Sequence, residues 1–168
     1  MSKKYILLTI CFFVLVSCGY KIQKDSFGEP ILNEKVKYTF NEIPNSENLQ
    51  KIDTTAYYVQ VFEGREYNEN EMANPRIIIF HNDSFFERES LLYFGKFKSH
   101  RNKNSVYYGG KYRIKNDVIE LEEFFPSSGT KTNYYNRNIS KGKLNGNKIT
   151  FDDGNSLIEV FEKKQKLN

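Results

Sequence analysis

Apolar and polar side chains alternate on both sides of Asn116-Asp117 in the segment Lys111-Tyr-Arg-Ile-Lys-Asn-Asp-Val-Ile-Glu-Leu-Glu122. An Asn-Asp pair between two alternating segments favours a two-residue hairpin turn. A turn of that length fixes which residues lie opposite each other. It pairs apolar residues on one face of the hairpin, Ile114 with Ile119 and Tyr112 with Leu121.

On the opposite face the same register pairs opposite charges, Arg113 with Glu120 and Lys111 with Glu122. Apolar partners on one face and ion pairs on the other are typical of an antiparallel sheet with one buried and one solvated face. We therefore expect the four charged residues to face water.

A second hairpin is expected in Gly142 to Phe151, with two alternatives for its turn. A turn at Gly146-Asn147 sets Leu144 opposite Ile149. A turn at Asn145-Gly146 has the intrinsically better sequence, but it sets Leu144 opposite Asn147. Hydrophobic pairing favours the first register.

Two further hairpins flank these. Asn82-Asp83 joins Ile77–Phe80 to Ser84–Phe86, which predicts that Phe80 faces Phe85. The last turn is predicted at Asp153-Gly154, which joins residues 149–151 to residues 156–161. It would set Ile149 opposite Ile158 and Lys148 opposite Glu159.

Strands that recur about every ten residues with turn signals between them favour an all-β fold, a single antiparallel meander forming a small barrel or sandwich. We expect one domain over residues 36–161, followed by a charged tail at 162–168. Residues 36–40 are predicted as a first or edge strand, and residues 54–62 as a strand with Tyr57, Val59 and Val61 on one face. Residues 41–53 and 63–74 are predicted as loops.

The amino-terminal residues have the layout of an export signal: Lys3 and Lys4, an apolar run over residues 6–16, then Ser17 before Cys18. The apolar run is eleven residues long, about half of what a membrane-spanning helix needs. We therefore expect residues 1–17 to be a cleaved signal peptide. An ordinary signal peptide cut near Ser17 would leave Cys18 as a free thiol.

The ending Leu15-Val16-Ser17-Cys18 resembles the lipobox of bacterial lipoproteins. The resemblance implies cleavage before Cys18, a diacylglyceryl group on its sulfur and attachment to the membrane through acyl chains. Gly19 follows in place of the acidic residue that favours inner-membrane retention in that family, so the outer membrane of a Gram-negative bacterium is expected. Residues 18–35 are then expected to be the lipidated cysteine and a flexible tether.

Removal of the signal also changes the charge. The chain has 25 Lys+Arg and 21 Asp+Glu, and the loss of Lys3 and Lys4 leaves a net charge of +2. Without a dense basic run there is little support for a nucleic-acid partner. Cys11 would be discarded and Cys18 would be a thioether, so the domain would contain no disulfide and would depend on an aromatic-rich core.

The repeated hairpin resembles the lipocalin-like lipoproteins of the bacterial envelope, many of which have no known activity. This resemblance covers about half of the chain. Our first hypothesis is a binding or structural β-barrel tethered by acyl chains, which uses its mouth for a small apolar or glycan ligand or its rim for an envelope protein. No cofactor is expected.

The hairpin register places Glu123 on the buried face, opposite Gly110. A β-bulge or the open end of a barrel would return this carboxylate to water. The alternative is a polar group at the mouth of a ligand cavity lined by Tyr108, Tyr112 and Phe125.

An enzymatic alternative is an envelope hydrolase that uses Glu123, His81 or His100 as its acid or base. His81 lies in a predicted turn, His81-Asn82-Asp83, where Asn and Asp are expected for turn geometry alone. The sequence has no Gly-x-Ser-x-Gly elbow, no Gly-rich phosphate loop and too few local ligands for a metal site. A non-enzymatic binding or structural module is therefore the favoured interpretation.

Overall fold

The protein is described by a computed structural model that covers residues 22–32, 36–94, 101–126, 135–155 and 157–165. Eight strands form one closed antiparallel barrel, in which each strand pairs with the next and the last pairs with the first. The predicted antiparallel meander is confirmed, and it closes as a barrel. The strands are β1 Tyr57–Val61, β2 Arg76–Phe80, β3 Phe85–Ser90, β4 Gly109–Lys115, β5 Val118–Pro126, β6 Tyr135–Asn145, β7 Lys148–Asp152 and β8 Ile158–Lys164.

Helical structure in the described ranges is short: α1 Ser46–Lys51, α2 Glu69–Ala73 and one 3-10 turn, Leu91–Tyr93. Both α-helices lie in segments predicted as loops, so those predictions are wrong. Asn45 caps α1, because its side chain accepts from Asn48 N, and Asn68 and Glu71 form a reciprocal capping box at α2. None of the helices in these ranges has the length and apolar character needed to cross a membrane.

The β4–β5 hairpin has the predicted register. Its turn is Asn116-Asp117, and Asn116 adopts a φ of +56°, a conformation that Asn tolerates better than most residues. The observed pairs are Gly110 with Glu123, Lys111 with Glu122, Tyr112 with Leu121, Arg113 with Glu120 and Ile114 with Ile119.

The barrel interior is filled by the apolar face of these strands. Tyr112, Ile119 and Leu121 are completely buried. Aromatic rings meet edge to face across the interior, Phe80 against Tyr112 at 5.0 Å and Phe151 against Phe161 at 5.9 Å, a geometry that aromatic pairs favour. The core cluster comprises Ile52, Tyr58, Ile78, Phe80, Phe86, Tyr112, Ile114, Ile119, Leu121, Ile149, Phe151 and Phe161.

The β6–β7 hairpin adopts the register that hydrophobic pairing favours. Leu144 lies opposite Ile149 and Asn145 lies opposite Lys148, so the turn is Gly146-Asn147. Gly146 has a φ of +60°, which a glycine adopts without steric cost.

The β2–β3 hairpin differs from the prediction by one residue. Phe80 pairs with Phe86, not with Phe85, because Ser84 adopts a φ of +69° and adds a third residue to the loop. A two-residue turn followed by a left-handed residue is a common hairpin connection. Phe86 therefore fills the interior, while Phe85 lies outside beside Tyr38 at a centroid distance of 5.9 Å.

The β7–β8 register was predicted incorrectly. Ile149 lies opposite Phe161 and Asp152 lies opposite Ile158, a shift of three positions from the predicted pairing. Asp153 Oδ1 accepts from Leu157 N at 3.1 Å, so the connection is a longer loop than Asp153-Gly154. An odd shift exchanges the two faces of a strand, and it therefore turns Glu159 into the barrel.

In β1 the residues Tyr57, Val59 and Val61 share one face, as predicted, but that face is the half-buried outer one. The buried residues of this strand are Tyr58 and Gln60. The predicted strand at residues 36–40 is not a strand. This segment crosses the outside of the barrel, with Phe40 only 2% exposed.

Two of the predicted boundaries, those of the charged tail and of the tether, can be compared with the structure. Strand β8 continues to Lys164, so it includes part of the predicted tail. Residues 22–32 of the predicted tether contact the barrel domain through a bridge between Ile31 and Ser105, and Tyr135 Oη donates to Ile31 O at 2.9 Å. Cys18 and the predicted signal lie outside the described residues.

Candidate functional site

The barrel interior is polar at one end. At the end where β2 and β8 begin and β3 and β5 approach their last residues, strand alternation points polar and charged side chains inward. At the opposite end the interior is apolar and is covered by the segment that follows α1, since Ile52 belongs to the core. The inward polar residues are Gln60, Arg76, Arg88, Glu123, Asn138, Ser140 and Glu159.

An open cavity of about 510 Å³ lies at this polar end. Its size is within the range of small-molecule sites. Polar lining comes from the inward residues Arg76, Arg88, Glu123, Ser140 and Glu159, among others, and apolar lining comes from Ile139, Phe151 and Leu157.

Glu123 lies at the inner wall of the cavity and is only 3% exposed. Its Oε2 is 3.3 Å from Nη1 of Arg88. The geometry of this ion pair is poor, because Oε2 accepts no hydrogen bond from any residue that the structure describes. Arg88 Nε and Ser140 Oγ are likewise buried without a hydrogen-bond partner in the described chain. Such atoms are costly unless another group satisfies them.

A second ion pair lies beside the first. Arg76 Nη2 contacts Glu159 Oε1, and the Arg76 Nε donates to Gln60 Oε1 at 3.4 Å. The Glu159 side chain is 10% exposed. The cavity therefore contains two arginine–glutamate pairs on neighbouring inward positions, of which the Arg76 pair is the better satisfied.

Burial raises the pKa of Glu123 above its ordinary value. The nearby Glu159 carboxylate raises this pKa further, whereas Arg88 and Arg76 oppose the shift. Desolvation dominates because a charged carboxylate withdrawn from water is unfavourable even beside one imperfectly placed guanidinium.

Of the four residues predicted to form the cavity, Glu123 alone is among the described residues that line it. Tyr112 points into the apolar core and its hydroxyl donates to His81 O at 2.7 Å. Tyr108 lies outside, within 3.4 Å of Glu87 Oε1, because Gly109, with a φ of +140°, interrupts the alternation before β4. Phe125 is 45% exposed near the end of β5.

The sequence reasoning missed Arg76, Arg88 and Glu159. Arg88 could have been found, since it lies two residues after Phe86 and shares its face once Phe86 is placed inside. Glu159 could not, because the predicted β7–β8 register placed it outside. Arg76 begins β2 directly after Pro75, where alternation alone gives a weak signal.

Of the groups named for the hydrolase alternative, the two described ones, Glu123 and His81, are not brought together. His81 follows the far end of β2, and its Nε2 lies 2.8 Å from Glu87 Oε1 on the outer surface. Glu123 lies inside, at the other end of the barrel. His100 lies outside the described residues.

Glu122 is a second buried carboxylate, and it was predicted to face water opposite Lys111. It lies on the outer face as predicted, but it is fully buried because residues 36–40 cover it. Its carboxylate accepts hydrogen bonds from Thr39 N at 2.8 Å, Thr39 Oγ1 at 3.0 Å and Phe40 N at 2.9 Å. Glu120 is also more buried than predicted, at 8% exposure, beside Arg113 at 2.5 Å. These contacts give Glu122 a structural role.

Within the described ranges, no three His, Cys, Asp or Glu residues are grouped so that they could hold a metal ion. The candidate site is therefore the polar cavity with its two ion pairs.

A comparison of the chain with protein-family models, with curated proteins and with solved structures finds no significant match.

Proposed function

We propose that this protein is a lipid-anchored lipoprotein of the cell envelope whose β-barrel binds a small ligand in the cavity at its polar end. The anchor is proposed to be acyl chains on Cys18, and the location the outer membrane of a Gram-negative bacterium. The role is binding, not catalysis. The support for the anchor is the lipobox Leu15-Val16-Ser17-Cys18 at the end of an export signal.

The observation that carries the binding proposal is the unsatisfied polar wall of the cavity. Glu123 Oε2, Arg88 Nε and Ser140 Oγ are buried and have no hydrogen-bond partner among the described residues. A ligand in the adjoining cavity of about 510 Å³ would supply those partners. Buried polar groups that converge on an open cavity are typical of a ligand site.

The separation of titratable groups supports a binding role over the hydrolase alternative. General acid–base catalysis requires its groups to lie within hydrogen-bond reach of one reacting centre. Glu123 faces the cavity, whereas His81 contacts Glu87 on the outside near the other end of the barrel.

The anchor is tested by metabolic labelling with palmitate in the wild type and in Cys18→Ser. We expect label on the wild type and its loss, with release from the membrane fraction, in the variant. Two or more acyl chains, at about 0.8 kcal/mol per buried CH₂, make membrane attachment stable. Label on the Cys18→Ser protein would refute the anchor.

The binding role is tested by adding the low-molecular-mass fraction of an envelope extract to isotopically labelled protein. We expect the methyl signals of Ile139 and Leu157, which line the cavity, to shift. The methyl signals of Leu49, near the opposite end, provide the control. Unchanged cavity signals at saturating extract would contradict the proposed binding role.

A further inference from the structure

Each cation that lines the cavity lies beside a carboxylate. Arg76 contacts Glu159, Arg88 lies 3.3 Å from Glu123, and Lys141 lies 3.5 Å from Glu120. For every cation that lines the cavity in the described chain, an anionic ligand would therefore have to compete with a carboxylate that is already present. Two charged groups that already oppose each other offer little net attraction to a third charge.

The remaining acidic groups at the rim serve the β7–β8 connection. Asp152 Oδ1 accepts from Gly154 N at 2.8 Å, and Asp153 Oδ1 accepts from Leu157 N at 3.1 Å. Both aspartates are exposed, so water screens them. A cationic ligand would therefore meet at the rim only carboxylates that water screens and that already accept backbone hydrogen bonds.

The three unsatisfied atoms differ in whether they donate or accept hydrogen bonds. A carboxylate oxygen such as Glu123 Oε2 only accepts, a guanidinium nitrogen such as Arg88 Nε only donates, and a hydroxyl such as Ser140 Oγ does both. A ligand hydroxyl can donate to the first and accept from the second. Several hydroxyl groups on one rigid ligand would satisfy all three atoms.

Apolar side chains adjoin these polar atoms. Ile139 and Leu157 are 38% and 52% exposed, and both line the cavity with Phe151. They provide a surface for C–H groups, whose removal from water is favourable. The cavity therefore matches an uncharged molecule that carries hydroxyl groups on one side and C–H groups on another.

We infer that the cavity binds an uncharged saccharide, with Glu123 accepting from one ring hydroxyl and Arg88 donating to it or to its neighbour. This inference rests on the proposed function and specifies its ligand class.

Calorimetric titration of the full-length protein tests the inference, in a detergent without a sugar headgroup. The probes are glucose, galactose, mannose and N-acetylglucosamine, with inorganic phosphate and choline as charged comparisons. We expect at least one saccharide to bind with a Kd of about 10 mM or lower. We expect neither phosphate nor choline to bind in that range.

Glu123→Gln is the diagnostic variant. Replacement of a charged by a neutral acceptor should weaken saccharide binding about tenfold. It also leaves Arg88 without its counter-charge, so phosphate should now bind more tightly than to the wild type. Glu162→Gln, at a half-buried glutamate on the outer face of β8, is the matched control and should change neither affinity.

Ser140→Phe provides a second variant if Glu123→Gln fails to fold. A phenylalanine in the cavity should abolish saccharide binding, and far-UV circular dichroism verifies folding. Undiminished saccharide binding by either folded variant would overturn the inference, as would a panel in which no saccharide binds.

Failure of the inference and failure of the proposed function give different results. If the envelope extract shifts the signals of Ile139 and Leu157 but no saccharide binds, the ligand class is wrong and the binding role stands. If the extract shifts neither signal and no saccharide binds, both are wrong. Equal phosphate binding by the wild type and Glu123→Gln would overturn the charge-balance argument, and with it the inference.

Discussion

The backbone N–H of Phe40 donates a hydrogen bond of 2.9 Å to the carboxylate of Glu122, a residue 82 positions later in the chain. The same carboxylate accepts from Thr39 N, so one side chain on the outside of β5 satisfies two consecutive backbone donors. It fixes the segment before α1 against the barrel wall, with no strand pairing in that segment. Phe40 completes the contact by packing under the Arg113 guanidinium at 4.1 Å.

Glu122→Ala should therefore be costly for an outer-face substitution. It leaves the Phe40 N–H buried without an acceptor, and we expect a loss of about 2 kcal/mol or more in the free energy of unfolding. Arg137→Ala is the control, because Arg137 is 46% exposed and 3.6 Å from Glu122, and an exposed partner contributes about 1 kcal/mol or less. Urea melts give both values. Equal costs would show that the hydrogen bonds to residues 39 and 40 are not important.

Leu121→Ala should lower the free energy of unfolding more than Glu120→Ala does. Leu121 is fully buried, and its truncation should cost about 2–5 kcal/mol through lost burial and a cavity. Glu120 is 8% exposed and pairs with Arg113, so its loss should cost about 1–2 kcal/mol. Denaturant melts of the two variants provide the comparison. The reverse order would mean that the β4–β5 register is displaced by one residue.

Gly110→Ala should destabilise the barrel at the point where β3, β4 and β5 meet. A Cβ at Gly110 would lie 2.0 Å from Glu122 O and 3.1 Å from the Phe86 ring. Backbone must move to relieve the first contact, and we expect a cost of about 1–3 kcal/mol or more. Lys115→Ala, at an exposed position of the same strand, should stay within about 0.5 kcal/mol. A thermal melt of Gly110→Ala that matches the wild type would contradict this packing.

Glu123 should make the folded protein less stable as pH rises. A carboxyl group whose pKa is lowered on folding has the opposite effect. Because the pKa of Glu123 is raised in the folded state, the folded protein holds this proton more tightly than the unfolded chain. Its contribution is fully present below the ordinary pKa of 4.5 and is lost as pH rises through the raised value. Glu123→Gln removes this titration, so its stability relative to the wild type should increase with pH above 4.5.

Chemical melts of both proteins at a series of pH values between about 4 and 8 measure this difference. The comparison cancels groups that titrate identically in both proteins, including Glu120 and Glu71, whose pKa values are lowered by arginine partners. A difference that is constant or falls with rising pH would contradict the burial of an imperfectly paired Glu123.

The β4–β5 hairpin was predictable because two independent signals agreed. The turn at Asn116-Asp117 and the pairing of Ile114 with Ile119 select the same register, and the structure has it. In the β7–β8 connection the turn signal was misleading. Asp153 accepts hydrogen bonds within a longer loop, so the Asp153-Gly154 pair does not mark the centre of a tight turn.

The candidate site was only partly predictable for the same reason. Glu123 follows from the β4–β5 register, but its neighbours come from β2, β3 and β8, whose registers depend on Ser84 and on the Asp153 loop. Burial of Glu122 also could not be read from alternation. Alternation assigns a side of the sheet, whereas the cover over that side comes from residues 39 and 40, far away in sequence.

Closure of the barrel by β1 and β8 also constrains the order in which the protein can form. Tyr57 pairs with Lys164 and Val61 pairs with Val160, so the first strand stays unpaired on one side until the last strand is available to pair with it. Contacts between distant segments form slowly, and unpaired strand edges favour aggregation. The barrel is thus completed only when its final strand has joined, and a chain truncated before Ile158 would retain two open edges.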